Sequence, residues 1–343
     1  MKDFNVLFTC CGMHVKERID SLRQNEDDVK VKVFAVNCVQ DNLPPADMAD
    51  GTYVVPKIHD TKYLPSILAI CKANDVQVIV PTVTLELEFM AENRDFFERE
   101  GIKVSIASSK ALAVANNKIK LHEAYGNLMP KEIVPTSFDD VFIFKKSLPL
   151  GSTLCCKLSN HCGGNGFAIV DDEKSLDMTL FNKYGGNHYI STHQLKELIE
   201  RGDYKIIVQE FRHGYDYSVS ALTVQGRVTH ICGYIGYQMS CGAIINGEIL
   251  YNRKAYQIVE KICNELKLDG NVCFDFRISP NGDVTLLEIN PRVNASLPFV
   301  QKAGCNMLYI RCKNLLGDYS DIEVADRIKY GLRMKKFYDS KYY

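Results

Sequence analysis

The chain has 343 residues, 46% of them hydrophobic and 24% charged, which is typical of a globular protein with room for two or three packed units. Its 41 Lys and Arg residues nearly balance 42 Asp and Glu residues, so the net charge of -1 disfavours a broad nucleic-acid-binding surface. No run approaches the roughly 18 apolar residues of a membrane span, and the first residues are typical of a strand rather than a signal peptide. We therefore expect a soluble, cytoplasmic protein that binds neither nucleic acid nor membrane.

Strands and helices alternate through the first hundred residues. The β-rich runs cover residues 4–9, 31–37, 76–81 and 102–107. The helical patterns between them cover residues 14–24, 62–74 and 85–100. This alternation predicts a doubly wound parallel sheet with helices on its faces. The first strand-to-helix turn holds Gly12 alone where a dinucleotide site needs three spaced glycines, so a dehydrogenase is disfavoured.

Polar residues follow two of these strands, namely Thr9 after the first and Thr82, Thr84 and Glu86 after the third. They could contribute to a substrate pocket at the strand ends. The alternative is that Glu86, with Glu88, forms a solvated first turn of a helix.

From about residue 108 the pattern changes to a helix pair that ends at Pro130, then strands joined by a glycine-bearing loop. Strands return from residue 206, and a helix at about 251–267 precedes a β-hairpin whose turn, "SPNGDV", carries a strong Pro-Asn-Gly signal. The 13 cysteines are odd in number and lack C-x-x-C spacing, so reduced core thiols are favoured over disulfides or a zinc site. The basic and aromatic end, "GLRMKKFYDSKYY", either packs on a partner subunit or returns to its own sheet.

The second strand of this hairpin runs into "LLEINPRVN", residues 286–294. Alternate side chains of a strand share a face, so Glu288, Asn290 and Arg292 should project together. The hairpin also brings Asp275 beside Glu288. Two carboxylates and an amide oxygen suit Mg²⁺ shared with phosphate oxygens, whereas the alternative is a set of plain ion pairs of Glu288 with Arg292 or Asp275 with Arg277.

Three other stretches could hold a nucleotide. Lys157 precedes the loop "NHCGGNG" (160–166), whose glycines allow backbone N–H groups to approach a phosphate closely. The alternative is an ordinary turn, in which the pattern G-G-x-G is common. Lys118 and Lys120 lie in "NNKIKL", where a solvated helix residue is the usual interpretation. In "QEFRHGYD", backbone groups of Glu210 and Phe211 could bond an adenine edge and Asp216 could accept from ribose hydroxyls, with a charged β-hairpin as the alternative.

Taken together and in this order, these patches resemble the ATP-grasp superfamily. Residues 78–104 and 115–130 are similar to the linker region of carbamoyl-phosphate synthase large-subunit-like proteins, and the resemblance spans about residues 4 to 300. It implies an α/β chain with a pre-ATP-grasp Rossmann-like domain over residues 1–112. An ATP-grasp N-terminal subdomain with the glycine loop over 113–206 and a C-terminal subdomain with the Mg²⁺ site over 207–343 would hold the nucleotide between them.

The resemblance also implies a role for each matching residue. The lysines that bind ATP would be Lys118 and Lys157, and the mobile loop over the triphosphate would contain Gly163, Gly164 and Gly166. The adenine hinge and the ribose acid would be Gln209, Glu210, Phe211 and Asp216. The Mg²⁺ ligands would be Asp275, Glu288 and Asn290, and Arg292 would be the catalytic arginine, with Lys157 assisting. Two departures stand out, since His161 and Cys162 replace a Gly-Ser pair in the loop and Asp216 replaces the usual Glu.

The implied activity is that of an ATP-dependent carboxylate–amine ligase with two Mg²⁺ ions, or Mn²⁺ in their place. Such an enzyme activates a small carboxylate as an acyl-phosphate for attack by an amine or another nucleophile. The alternatives are a non-catalytic or regulatory ATP-binding protein of the same fold, and a carboxylate or carbamate kinase. The expected partners are the small-molecule substrates and, by analogy with the family, a second copy in a homodimer.

Overall fold

The computed structural model describes residues 2–12, 14–159, 166–181, 188–240, 243–321 and 327–337, which form three β-sheets. The five strands of the first sheet are all parallel, in the order β3-β2-β1-β4-β5. They are β1 (Phe4–Thr9), β2 (Val31–Asn37), β3 (Gly51–Val54), β4 (Val78–Pro81) and β5 (Lys103–Val104). Helices cover both of its faces, so the central strands are mostly apolar, with β4 buried throughout and β1 buried except at Asn5. The predicted doubly wound parallel sheet is confirmed.

The helices of this first part are α1 (Val15–Arg23), α2 (Tyr63–Ala73), α3 (Leu87–Glu92), α4 (Arg94–Glu98), α5 (Ser109–Ala115) and α6 (Lys118–Tyr125). The single helix predicted over residues 85–100 is wrong, because a 3₁₀ turn at Thr84–Glu86 leads into α3 and the helix breaks at Asn93 before α4. The Asn93 side chain donates to the carbonyl of Phe89 (2.8 Å), which competes with a continuing helix. The sequence pattern also missed β3 and overestimated the length of β5.

The second sheet is mixed, in the order β6-β10-β7-β8-β9. Its strands are β6 (Glu132–Ile133), β7 (Leu154–Leu158), β8 (Phe167–Val170), β9 (Tyr189–Ile190) and β10 (Ile206–Glu210). Three helices accompany it, α7 (Phe138–Ser147), α8 (Asp172–Phe181) and α9 (Thr192–Arg201). The predicted glycine loop covers residues 160–166, of which 160–165 lie outside the described residues. Its last residue, Gly166, has a φ of +74°, which suits a glycine.

The third sheet is antiparallel, in the order β15-β14-β11-β12-β13-β16. Its strands are β11 (Tyr215–Val224), β12 (Arg227–Ser240), β13 (Ala243–Ile249), β14 (Gly270–Ile278), β15 (Val284–Asn290) and β16 (Arg333–Lys335). Its helices are α10 (Arg253–Leu266), α11 (Leu297–Lys302) and α12 (Met307–Leu315). The predicted hairpin is the β14–β15 pair, and β16 pairs with β13, so residues 333–335 return to the chain's own sheet.

Three hydrophobic cores hold these layers. Two of them contain residues of both the first and the third sheet, for example Phe8 packed in one cluster with Tyr234 and Phe299. The third core belongs to the second sheet and its helices alone, with Phe144 and Val208 among its members. Within the described part of the chain, no helix is both long and apolar enough to cross a bilayer.

Candidate active site

A cleft of about 1920 Å³, its open mouth included, lies between the second and third sheets and reaches the carboxyl ends of β1 and β4. The residues singled out for the nucleotide, the metal or catalysis that line it are Lys118, Lys157, Gln209, Glu210, Phe211, Asp216, Asp275, Glu288, Asn290 and Arg292. Thr82 and Thr84, singled out for a substrate pocket, line it as well. Gly163 and Gly164 lie outside the described residues, and Gly166 opens β8 beside the cleft. Residues far apart in the chain therefore meet around one cavity large enough for a nucleotide and a small substrate.

The two acids of the hairpin face each other across β14 and β15. Asp275 is paired with Glu288 at a register irregularity, and the amide of Asn290 donates to both carboxylates, at 2.9 Å to Asp275 and 3.1 Å to Glu288. The Ser218 hydroxyl donates to the other oxygen of Asp275 at 2.6 Å. Burial, followed by the charge of Glu288, raises the pKa of Asp275 to about 6. The pair is thus a concentrated negative charge that a cation would relieve.

These residues fit Mg²⁺ in their chemistry, since two carboxylates and one amide oxygen are hard oxygen donors. A half-turn of the Asn290 amide would bring its oxygen to the acids in place of its nitrogen. Among the described residues no group of three His, Cys, Asp or Glu side chains could hold a metal by itself. Oxygens of a bound phosphate would therefore have to complete the coordination, as Mg²⁺ sites that bind nucleotides require.

Arg292 reaches from the third sheet to the first. Its Nε donates to the Thr84 hydroxyl (3.1 Å), one Nη donates to the carbonyl of Val293 (3.0 Å), and the other lies 3.4 Å from the Asn290 amide oxygen. Arg277 instead pairs with Asp216 (3.2 Å). These contacts differ from the plain ion pairs considered for the hairpin, and they hold the Arg292 guanidinium beside the acid pair.

The two lysines reach the cleft from different elements, Lys157 from the second sheet and Lys118 from a helix that packs with the first and third sheets. Lys157 projects from β7 with 13% of its side chain exposed, and its Nζ lies 3.5 Å from the carboxylate of Glu132. The same carboxylate accepts a hydrogen bond from the Gln209 amide at 2.7 Å. Lys118 begins α6 and lines the cleft, whereas Lys120 is exposed. Glu132 was missed by sequence reasoning, because a lone acid in a two-residue strand carries no pattern.

The hinge after β10 combines backbone and aromatic groups. The N–H of Glu210 donates to the carbonyl of Lys131 (2.9 Å) and that of Phe211 to the carbonyl of Thr153 (2.8 Å), so neither donor faces an adenine edge. Only the carbonyl groups of this pair could meet the base. The centroid of the Phe211 ring lies 6.5 Å from that of the Phe167 ring and 5.8 Å from the Arg277 guanidinium. Such a platform suits stacking of a planar base.

The end of the first sheet adds two buried charges. Glu86 is 1% exposed, and its carboxylate accepts hydrogen bonds from the backbone N–H groups of Thr82 (2.7 Å) and Val83 (3.2 Å). The prediction that Glu86 lies in a solvated helical turn is therefore wrong, whereas Glu88 is exposed. Burial raises the pKa of Glu86. Arg18 of α1 is 6% exposed and also lines the cleft. Sequence reasoning missed Arg18, although its signal was present, since it shares the apolar stripe of α1 with Val15, Ile19 and Leu22.

Comparisons with known proteins agree with this arrangement. Residues 6–105 match the family model "PylC-like, N-terminal domain", and residues 203–339 match "ATP-grasp in the biosynthetic pathway with Ter operon". The carbamoyl phosphate synthase large chain of Buchnera aphidicola is 22% identical over 221 residues, which is 60% of this chain and 19% of that protein. The chain thus spans about a fifth of the length of this curated relative.

Solved structures share the fold over nearly the whole chain. N5-carboxyaminoimidazole synthetase from Staphylococcus aureus, solved with ADP, has a TM-score of 0.66 at 13% identity and matches 93% of this chain and 79% of its own. A second match is the biotin carboxylase domain of Hydrogenobacter thermophilus 2-oxoglutarate carboxylase, a dimer solved with MgADP, ADP and bicarbonate. Its TM-score is 0.66 at 15% identity, and the match covers 96% of this chain and 73% of that domain. An L-amino acid ligase from Bacillus licheniformis has a TM-score of 0.63 at 15% identity, and the match covers 94% of this chain and 76% of the ligase.

The architecture is therefore a pre-ATP-grasp sheet followed by an ATP-grasp fold, as the sequence predicted. The C-terminal part of the chain matches an ATP-grasp family model, and 221 residues are similar in sequence to the carbamoyl phosphate synthase large chain.

Proposed function

We propose that this chain is an ATP- and Mg²⁺-dependent ligase that activates a small carboxylate as an acyl-phosphate, which an amine or another nucleophile then attacks. One observation carries the proposal. The acid pair, the Asn290 amide and the Arg292 guanidinium converge at one place in the cleft that Lys118 and Lys157 also line. ATP is the ligand whose separate parts match these groups.

In this proposal the nucleotide lies along the cleft with its base against Phe211 and its phosphates toward the hairpin. Asp216 lies near the base platform, where it could accept from ribose, although its present partner is Arg277. Lys157, kept in place by Glu132, and Lys118 would neutralise the phosphates. Asp275, Glu288 and Asn290 would hold Mg²⁺, which, when bound, supplies charge neutralisation of the phosphate oxygens.

The substrate carboxylate oxygen would attack the γ-phosphorus, forming a P–O bond while the bond to the ADP oxygen breaks. Arg292 stands where negative charge accumulates on the transferred group and later on the acyl-phosphate. The nucleophile would then attack the acyl carbon and release phosphate. The proposal includes two Mg²⁺ ions, or Mn²⁺ in their place. It also includes a second copy of the chain in a homodimer.

The test is a screen of ADP and phosphate release by the purified protein against pooled amino acids and other small carboxylic acids, with Lys157→Ala as the blank. We expect release that depends on one acid and on Mg²⁺ and that disappears in the blank. An amine requirement would identify a ligase, and release with an acid alone would identify a carboxylate kinase. Tight ATP binding without release for any acid would instead support the non-catalytic alternative.

A further inference from the structure

Arg18 is a buried cation without a partner in the described part of the chain. Its side chain is 6% exposed, its Nε has no hydrogen-bond partner, and no carboxylate of the described residues lies within the 4.0 Å of an ion pair. The acids nearest to it are already engaged. Glu17 pairs with Lys336 (2.7 Å), and Glu86 accepts backbone N–H groups. Burying an unpaired charge is strongly unfavourable, so the residue calls for a ligand.

Another arginine of the cleft, Arg292, lies near Arg18. Arg18 and Arg292 both line the end of the cleft formed by β1, β4 and the hairpin. Burial, and then the charge of Arg292, lowers the pKa of Arg18 to about 10, so the Arg18 guanidinium is still charged at neutral pH. His14 adds no charge of its own there at neutral pH, because burial, followed by Lys336 and Arg18, lowers its pKa. Arg18 thus adds a buried positive charge to the end of the cleft that also holds Arg292.

Space for a ligand exists beside these two arginines. Gly12 lines the same end, and a Cβ built on it would meet no atom within 4 Å. Tyr234 and Ile244 form an apolar wall, with the Tyr234 hydroxyl already bonded to Ser220 (2.9 Å). The paired donors of a guanidinium match the two oxygens of a carboxylate.

We propose that Arg18 binds the carboxylate of the acid substrate at this end of the cleft, so that the group to be activated is held between Arg18 and Arg292. The inference rests on the proposed function, because it identifies the residue that selects the acid. It also defines the substrate class as acids that bind as anions. The primary amide of the same acid should not bind, because it has one acceptor oxygen and an NH₂ donor. It therefore cannot accept two hydrogen bonds from one guanidinium as a carboxylate can.

The experiment measures binding rather than turnover. Calorimetry or thermal shift with the intact chain would compare each acid of a panel with its primary amide, in the presence of Mg²⁺ and a non-hydrolysable ATP analogue. We expect wild type to bind an acid and not its amide. Arg18→Met should weaken acid binding by about 10- to 150-fold, while affinity for the ATP analogue changes by no more than about twofold. Arg18→Lys should recover part of the acid affinity.

A stability measurement separates this role from a structural one. Because Arg18→Met removes a buried unpaired charge, it should raise the Tm of the ligand-free protein by about 2–4 °C. The matched control is Arg94→Met, since Arg94 also has an unpartnered buried Nε but donates to the carbonyls of Ile106 and Ala107. That control should lower the Tm and leave acid binding intact.

The outcomes are distinct. No acid bound by wild type, unchanged acid binding in Arg18→Met, or a loss of nucleotide affinity equal to the loss of acid affinity would each overturn the assignment of Arg18. A lowered Tm in Arg18→Met would do the same. If wild type binds an acid through Arg18 but not the ATP analogue, the proposed function fails and the anion site stands.

Discussion

The acid pair of the hairpin should make folding stability depend on pH in a measurable way. Burial and the charge of Glu288 raise the pKa of Asp275 to about 6, above the 3.8 that is ordinary for this group. Because the folded protein holds this proton more tightly than the unfolded chain, the stability from Asp275 is fully present below pH 3.8. It is lost as the pH rises through 6. A difference of about two pH units corresponds to about 3 kcal/mol.

The perturbation is Asp275→Asn, which keeps the shape and removes the charge. The asparagine amide has one acceptor oxygen, so it can accept a hydrogen bond from Ser218 or from Asn290 but not from both. The lost hydrogen bond should lower the free energy of unfolding by about 1 kcal/mol. Without metal, we therefore expect Asp275→Asn to be more stable than wild type by roughly 2 kcal/mol at pH 8 and less stable by about 1 kcal/mol at pH 4. Excess Mg²⁺ should stabilise wild type at pH 8 and barely affect the variant.

Urea unfolding in EDTA between pH 4 and pH 8 measures this difference directly. Asp283→Asn is the control, because Asp283 is an exposed acid in the turn of the same hairpin. It should change stability little and by the same amount at both ends of the range. The reasoning is refuted if the difference between wild type and Asp275→Asn is the same at pH 4 and pH 8.

Three further predictions concern the cleft. Arg292→Ala should lower turnover by about 10²- to 10³-fold while ATP affinity stays nearly constant, measured by ADP release and by calorimetry. Glu132→Gln removes the charge that holds Lys157 and should raise the KM for ATP by about tenfold, with a smaller change in kcat. Gly214→Ala should lower the Tm and weaken nucleotide binding, because its Cβ would lie 2.0 Å from the carbonyl oxygen of Ile278, measured by thermal unfolding and calorimetry.

Each of these has its own control. Loss of ATP binding in Arg292→Ala would contradict the role given to this arginine. Glu123→Gln, an exposed acid of α6, should leave the KM for ATP unchanged, and an equal effect in both glutamate variants would argue against the link to Lys157. Gly282→Ala, at a positive φ but with open space around its Cβ, separates backbone strain from the clash at Gly214.

Features that depend on local geometry could be predicted from the sequence. Asp275 and Glu288 were placed side by side because a tight turn joins their strands and sets which residues face each other. The alternation of apolar strands and helices predicted the first sheet in the same way. Where a side chain overrides the pattern, as Asn93 does in the middle of an apparent helix, the prediction was wrong.

Features that depend on distant contacts could not be predicted. The hydrogen bond from Arg292 to Thr84 joins residues 208 positions apart, and that from Gln209 to Glu132 joins residues 77 apart. No periodicity of the sequence predicts such contacts, because they depend on how the three sheets pack against one another. Arg18 is intermediate, since its place on an apolar helix stripe was visible but the cavity that it faces was not.

The division of the hydrophobic cores bears on how the cleft admits its ligands. The first and third sheets share two cores, so they should move as one body, while the second sheet has a core of its own. Lys157 travels with the smaller body, and Arg18, Asp275 and Arg292 travel with the larger one. Rotation of the smaller body would therefore change the distance between Lys157 and the acid pair without dividing any of the three cores.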